Sequence, residues 1–222
     1  MSQTISVSLP SDVLYVSGTV NAVPVTWTNT EGNIWEAVAD RAANDVYVVE
    51  LTLVNALGST TMQTLTLYYG LHLITDRTQE DVNLVLTLRQ LGSMTEEERA
   101  LWDGDLKGAY NAGDLNRVGA AMQYLKERFT QQGYLCRISP VIDWATSDIP
   151  SPADAAAYLG NVSTLRGMFA LPAGTPSVPA DMEKFSYQEA NNIERILEVL
   201  DQLLTNSIAA AFYSGDLYAG EI

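Results

Sequence analysis

The stretch of residues 102–125, WDGDLKGAYNAGDLNRVGAAMQYL, carries three aspartates at a spacing that could serve a calcium ion. Asp103 and Asp105 fall on the first two ligand positions of a helix–loop–helix calcium loop, and Asp114 falls on its closing position. Lys107, however, stands where the loop needs a third oxygen ligand, and the closing residue of such a loop is a glutamate. The match is therefore partial, and we predict neither a metal site nor a bound cofactor.

A structural role accounts for the same aspartates more simply. Asp103 and Gly104 are placed to end one helix, and Asn111 or Gly113 is placed to begin the next. Asp114 would then lie in the first turn of the second helix, where the positive end of the helix dipole favours a carboxylate. The stretch is therefore predicted to be a helix corner that carries no chemistry.

Few other residues of the chain could carry out catalysis. His72 and Cys136 are the only histidine and the only cysteine, which excludes an intramolecular disulfide and a cysteine-based zinc site. Cys136 follows apolar residues and is predicted to be a small core residue. The sequence contains no nucleophile-elbow serine and no phosphate-binding glycine loop. We predict that the chain is not an enzyme and has no catalytic residues, with a carboxylate-dependent cell-wall hydrolase as an alternative.

Three tryptophans are candidates for contact with a glycan or a protein partner: Trp27, Trp35 and Trp144. Their flat rings could stack on sugar rings, which makes a glycan-binding adhesion module a second hypothesis for the function. Trp144 lies beside Asp143 in residues 134–150, a segment that is predicted to be irregular. Its other interpretation is a large apolar side chain that plugs the helical core.

The charge of the chain excludes one class of partner. The formal net charge is −15, and lysine and arginine do not cluster. Because a nucleic-acid-binding protein needs a basic face to neutralise phosphates, we predict no nucleic-acid partner. The sequence also lacks a signal peptide and a run of membrane-spanning length, so we predict synthesis in the cytoplasm and no membrane partner.

Residues 1–70 are patterned as strands. Valine, threonine and tyrosine alternate with polar residues over short runs, and turn-forming residues separate these runs. Residues 23–28 are predicted to form one strand that ends at the turn cluster of residues 29–33. We therefore expect a small antiparallel β-sandwich over residues 1–70.

Residues 71–222 show apolar spacings of three and four, which are typical of amphipathic helices. Ser, Thr and Asp caps mark several helix starts: Thr78 or Asp76, Thr95, Ser151 and Ser186. About five helices are predicted, and their apolar stripes can be buried only against each other or against a partner chain. The predicted fold class is α+β with two domains, a β-sandwich followed by an all-α helical bundle.

The segment DVYVVELTLVNALGSTTMQTLTLYY resembles the end of bacterial immunoglobulin-like modules. In those modules a tyrosine opens the penultimate strand, and a glycine-containing hairpin leads to the last strand. The resemblance implies an immunoglobulin-like sandwich in which Tyr47 is the corner tyrosine. Such modules serve as spacers, adhesive units and docking units alike, so the resemblance implies architecture and not function.

The helical part resembles a protein family encoded in prophages of Gram-positive gut bacteria. The resemblance rests on LITDRTQEDV, MTEEERALWDGDLKGAYNAGDLNRVGAAMQYL, SDIPSPAD, YLGNVSTLR, SYQEANNIERIL and FYSGDLYAGE, and it covers residues 71–222. It implies a tail or baseplate accessory or tail-fibre-like structural protein of the virion, which mediates assembly or attachment to the host surface. The implied partners are other phage tail proteins, a host-surface glycan and further copies of the chain.

Overall fold

The computed structural model describes residues 2–42, 45–104 and 106–215, with side chains described as far as residue 208. Within these residues the chain forms seven strands followed by five helices, and all of the strand pairs are antiparallel. The prediction of a mixed α+β chain with an N-terminal β-rich part is confirmed. The elements are β1 (Ser2–Ser8), β2 (Val13–Val20), β3 (Val23–Val25), β4 (Thr28–Glu31), β5 (Ile34–Asp40), β6 (Val46–Asn55), β7 (Thr60–Tyr68), α1 (Gln79–Gln90), α2 (Glu96–Trp102), α3 (Ala112–Gln131), α4 (Pro152–Arg166) and α5 (Tyr187–Gly215).

The chain divides into two compact units. The first contains the residues up to His72 together with residues 111–120 and 141–149, so it includes two segments beyond residue 70. The second contains residues 73–110, residues 121–140 and the chain from Pro150 onward. Helix α3 contributes its first half to the first unit and its second half to the second.

The strands of the first unit form two sheets around one core. Their orders are β1-β5-β4 and β3-β2-β6-β7. Alternate residues of the long strands are buried, and they form a single hydrophobic cluster in which Tyr47 is the largest fully buried side chain. Gly18 allows β2 to approach β6, because a Cβ atom at this position would lie 1.9 Å from the carbonyl oxygen of Glu50.

One predicted strand is wrong. Residues 23–28 do not form a single strand, because β3 ends at Val25 and β4 begins at Thr28 in the other sheet. The predicted turn cluster of residues 29–33 is likewise shortened, since β4 continues to Glu31. The chain changes sheets around Trp27, whose side chain is buried in the core. A change of sheet keeps the alternation of apolar side chains, so periodicity alone could not reveal it.

The helices of the second unit begin where the capping residues predict. Thr78, Thr95 and Ser151 are the N-caps of α1, α2 and α4, and each forms a reciprocal capping box with an acidic residue three positions later. Ser186 and Glu189 make the same reciprocal bonds at the start of α5. None of the helices within the described residues has both the length and the apolar character needed to span a bilayer.

The apolar stripes of α3, α4 and α5 are buried. Phe129, at the end of α3, meets the rings of Tyr134 and Phe169 with centroids 5.9 and 5.3 Å away. Cys136 lies nearby in the sequence and is buried, as predicted, and this burial raises the pKa of its thiol. The buried stripe residues are Ala121, Met122, Leu125 and Phe129 on α3; Tyr158, Leu159, Val162 and Leu165 on α4; and Ala190, Ile193, Ile196, Leu197, Leu200 and Leu204 on α5.

Candidate functional site

The aspartates of residues 102–125 do not come together as ligands in the part of the chain that is described. Asp103 is the exposed C-cap of α2, and Asp105 lies outside the described residues. Asp114 is in the first turn of α3, as predicted, where its carboxylate accepts the backbone N–H of Asn111 at 3.1 Å. Within the described residues, no group of three His, Cys, Asp or Glu side chains is placed to hold a metal ion.

Asp114 also belongs to a buried ion pair that the sequence did not reveal. Its Oδ1 lies 2.7 Å from the guanidinium of Arg117, and both side chains are 4% exposed. Arg117 donates a second hydrogen bond to the backbone carbonyl of His72, at 2.8 Å. The carboxylate therefore stabilises a helix start and an arginine, which is a structural use of the charge.

The predicted contact tryptophans lie in different surroundings. Trp27 and Trp35 are 6% and 8% exposed and belong to the core cluster of the first unit. Trp144 is partly exposed, and its backbone N–H and C=O are both bonded to the side chain of Asn116. The structure does not bring the three rings together as one surface, and their contact with a glycan or a partner stays a prediction.

Asp143, which precedes Trp144, is a carboxylate in an unfavourable environment. Its Oδ2 accepts the backbone N–H of Ser8 in β1 at 3.0 Å. Burial raises the pKa of Asp143, while the hydrogen bond from Ser8 acts in the opposite direction. The folded state therefore favours the protonated acid more than the unfolded state does.

This shift predicts the pH dependence of the variant Asp143→Asn. Because the pKa of Asp143 is raised in the folded state, ionisation weakens the wild-type fold as pH rises from about 3.9, the usual value for an aspartate, through the folded pKa. Asparagine stays neutral and can still accept the N–H of Ser8. We expect the stability of Asp143→Asn relative to wild type to increase over this window and then to level off. Urea unfolding at several pH values between about 3 and 7 measures the difference.

Asp154 provides a control of opposite sign. Its pKa is lowered by hydrogen bonds from the side chain and the backbone N–H of Ser151 at the N-cap of α4. The wild type therefore loses stability as pH falls through the folded pKa of Asp154, and Asp154→Asn should lose stability relative to wild type as pH rises. Parallel pH profiles for the two asparagine variants would contradict the interpretation of Asp143.

The second unit contains a cavity that the sequence did not predict. Its volume is about 400 Å³, within the range of small-molecule sites. The lining residues come from the starts of α1 and α5, the loop before α3 and the irregular segment of residues 171–185: Arg77, Gln79, Val82, Lys107, Gly108, Ala109, Tyr110, Phe185, Ser186, Tyr187, Gln188 and Ala190. Residues 171–185 contain no helix or strand, and because loops of this length are often functional, their length is a signal that could have drawn attention to this region.

The charges that line this cavity are already paired. Arg77 forms a buried ion pair with Glu194 at 2.8 Å, and Lys107 lies 2.7 Å from Asp76. The rings of Tyr110 and Phe185 meet edge to face with centroids 4.9 Å apart. The cavity thus offers aromatic surface and hydrogen-bonding groups. The hydroxyl of Ser186 donates to the carboxylate of Glu189 at 2.9 Å, and this pair is the capping box of α5.

Comparison with models of protein families, with curated proteins and with solved structures found no match for this chain.

Proposed function

We propose that the chain is a non-enzymatic structural component of a phage virion, a tail or baseplate accessory or tail-fibre-like protein. The support is the resemblance of residues 71–222 to the prophage-encoded family, together with the roles that the polar side chains have in the fold. Its localisation would be the phage tail, and its partners would be other tail proteins, a host-surface glycan and further copies of the chain.

One observation supports the non-enzymatic part of the proposal most directly. The buried charged side chains of the described residues bond to one another: Arg77 pairs with Glu194, and Arg117 pairs with Asp114. Asn116, also buried, is bonded to the backbone of Trp144. These groups stabilise the fold, whereas a catalytic group must have bonding capacity that is directed at a substrate.

The proposal includes an immunoglobulin-like sandwich for the β-rich part. The sheet orders β1-β5-β4 and β3-β2-β6-β7 correspond to strands B-E-D and C′-C-F-G of that architecture. Tyr47, near the start of β6, accepts the backbone N–H of Ala42 through its hydroxyl at 3.1 Å, which is the bond of a tyrosine corner. The buried stripes of α3, α4 and α5 support a helical bundle for the remaining part.

Mass spectrometry of purified virions tests the proposal. We expect peptides of this chain at a fixed copy number relative to the major tail proteins, after the particles have been banded and washed to remove lysate. Absence of the chain from infectious particles would contradict the proposal, and so would turnover of purified peptidoglycan by the isolated chain.

The second candidate is the glycan-binding module, and Trp144 is the tryptophan that favours it because its side chain is partly exposed. A glycan array with the wild type and with Trp144→Ala tests this second candidate. Binding that is lost in this variant would favour the glycan module. Alanine at Trp27 or Trp35 is a poor test, because both rings belong to the core and their loss destabilises the fold itself.

A further inference from the structure

Strand β7 forms an open edge of the four-stranded sheet. Among the described residues, only β6 pairs with it. The backbone N–H of Tyr69 donates to the carbonyl of Asp45, so the odd-numbered residues before it bond to β6. Because the bonds of an antiparallel pair alternate, the N–H and C=O groups of the even-numbered residues point away from β6. These residues are Thr60, Met62, Thr64 and Thr66. Most of this edge is exposed to solvent. A row of such groups is complementary to one kind of partner, another extended strand.

On the other long edge strand of the first unit, β1, side chains bond to the backbone groups that would otherwise be open to another strand. On β1, the N–H of Ser8 donates to the carboxylate of Asp143, and the C=O of Thr4 accepts the hydroxyl of Tyr69 at 3.2 Å. The remaining edge strands, β3 and β4, are short. Short strands and blocked backbone groups are the usual protections against edge-to-edge pairing. From Thr60 to Thr66, strand β7 has neither protection among the described contacts.

The sequence of β7 also lacks the residues that protect an edge. Its nine residues, TTMQTLTLY, include no charged side chain and no proline. Threonine is favoured in strands, and it occupies Thr60, Thr61, Thr64 and Thr66. The segment from Thr60 to Thr66 is therefore long enough and regular enough to pair with another strand.

We propose that the β7 strands of two copies of this chain pair antiparallel about a two-fold axis at Thr64. In this register Leu65 faces Gln63 and Leu67 faces Thr61 of the other copy. Side chains on the core-facing side of β7 in one copy therefore lie beside core-facing side chains of β7 in the other copy. The two sheets become one continuous sheet of eight strands with a self-complementary interface.

The net charge of −15 does not oppose this pairing at short range. The charged residue beside the axis is Glu50, which lies opposite Thr64 on β6. In the dimer, three strand spacings separate the two Glu50 positions, about 14 Å. This distance exceeds the screening length of about 8 Å at physiological salt. A second copy of the chain is thus compatible with the edge in both hydrogen bonding and charge.

Disulfide cross-linking of the full-length chain tests the register. The axis places residue 64 opposite itself with Cα atoms about 5.5 Å apart, which suits a disulfide. In the same register, residue 66 faces residue 62 of the other copy. The two residues 66 are therefore four positions apart along the strand, which separates them by about 14 Å. We expect Thr64→Cys to form covalent dimers under mild oxidation and Thr66→Cys to form none. The wild type, whose one cysteine is buried, is the background control.

Light scattering and sedimentation over a concentration series test the dimer itself. We expect a dimer mass for the wild type and a dissociation constant weakened by roughly two- to fivefold in Thr64→Lys, which places two positive charges face to face. Thr28→Lys, the same charge change on an exposed position of β4, should leave the dimer unchanged. In Thr64→Pro the lost N–H is one that β6 does not use, so this variant should fold and remain monomeric.

Three results would overturn the proposal: a monomeric wild type at every concentration, a dimer whose dissociation constant is unchanged in Thr64→Lys and Thr64→Pro, or equal cross-linking at positions 64 and 66. The dimer does not depend on a role in phage tails. A monomeric chain that is present in virions would remove only the dimer, and a dimeric chain that is absent from virions would remove only the tail function.

Discussion

Replacing Glu194 with alanine is expected to lower the free energy of unfolding by about 3–5 kcal/mol, because it leaves a buried arginine without its counterion. The side chain of Glu194 is 0% exposed and that of Arg77 is 2% exposed, and their charged atoms are 2.8 Å apart. The second carboxylate oxygen of Glu194 accepts the backbone N–H of Ile74 at 2.5 Å. One substitution therefore removes an ion pair and a buried hydrogen bond.

The surroundings of Arg77 give the guanidinium little opportunity to reach water. Its Nε donates to the backbone carbonyl of Lys107 at 3.0 Å, and another of its nitrogens donates to the carbonyl of Ile74 at 2.7 Å. The side chain of Asn191, on α5, bonds to both the N–H and the C=O of the Arg77 backbone. These bonds hold the charge in place when its partner is removed, which is why the effect should be large.

Urea unfolding of the full-length chain measures the effect, with Glu198→Ala as the matched control. Glu198 is on the same helix, but its 3.9 Å pair with Arg195 is exposed, so its loss should change stability by less than about 1 kcal/mol. The double variant Arg77→Met, Glu194→Leu removes both charges but leaves the carbonyls of Ile74 and Lys107 without their donors, so it should recover only part of the lost stability. Equal losses in Glu194→Ala and Glu198→Ala would show that burial of the pair is unimportant.

Replacing Tyr47 with alanine is expected to lower the free energy of unfolding by about 3–5 kcal/mol, the range for truncating a fully buried aromatic side chain. Tyr47 is 0% exposed and is the largest fully buried side chain of the core cluster that both sheets share. Its ring meets Tyr69 edge to face with centroids 5.4 Å apart. The cavity left by this truncation would face both sheets, and neither can close it without moving the other.

The variant Tyr47→Phe separates the hydroxyl from the ring. It keeps the packing but leaves the N–H of Ala42 without its acceptor, and we expect a loss of about 1–3 kcal/mol. Tyr15→Ala is the control, because Tyr15 is 60% exposed on β2 and its truncation should change stability by about 0.5 kcal/mol or less. A phenylalanine variant as unstable as the alanine variant would mean that the corner bond, and not the packing, carries the effect.

Local sequence signals predicted the elements of this protein well where the interaction is short in range. The capping residues of α1, α2, α4 and α5 were readable because an N-cap bonds to a residue three positions away. The first-turn position of Asp114 was readable for the same reason. Alternation likewise located the long strands, since a half-buried strand alternates whatever its partners are.

The predicted site residues depended on information that lies far away in the chain. Tryptophan rings suggested contact surfaces, but whether a ring is covered depends on the second sheet, and Trp27 and Trp35 are covered. The same applies to the cavity of the second unit, whose lining comes from several separate segments. Neither composition nor spacing encodes how these segments meet.

By itself, the sequence determined a mixed α+β chain with strands before helices, the capping residues of the helices and the burial of Cys136. These features follow from patterns within one turn or one strand. Only the tertiary structure decided that β3 and β4 belong to different sheets, that Arg77 is neutralised by Glu194, and that β1 is closed while β7 is open. The physical reason is that hydrogen bonds and ion pairs between distant segments depend on distances in space, and a linear pattern does not contain those distances.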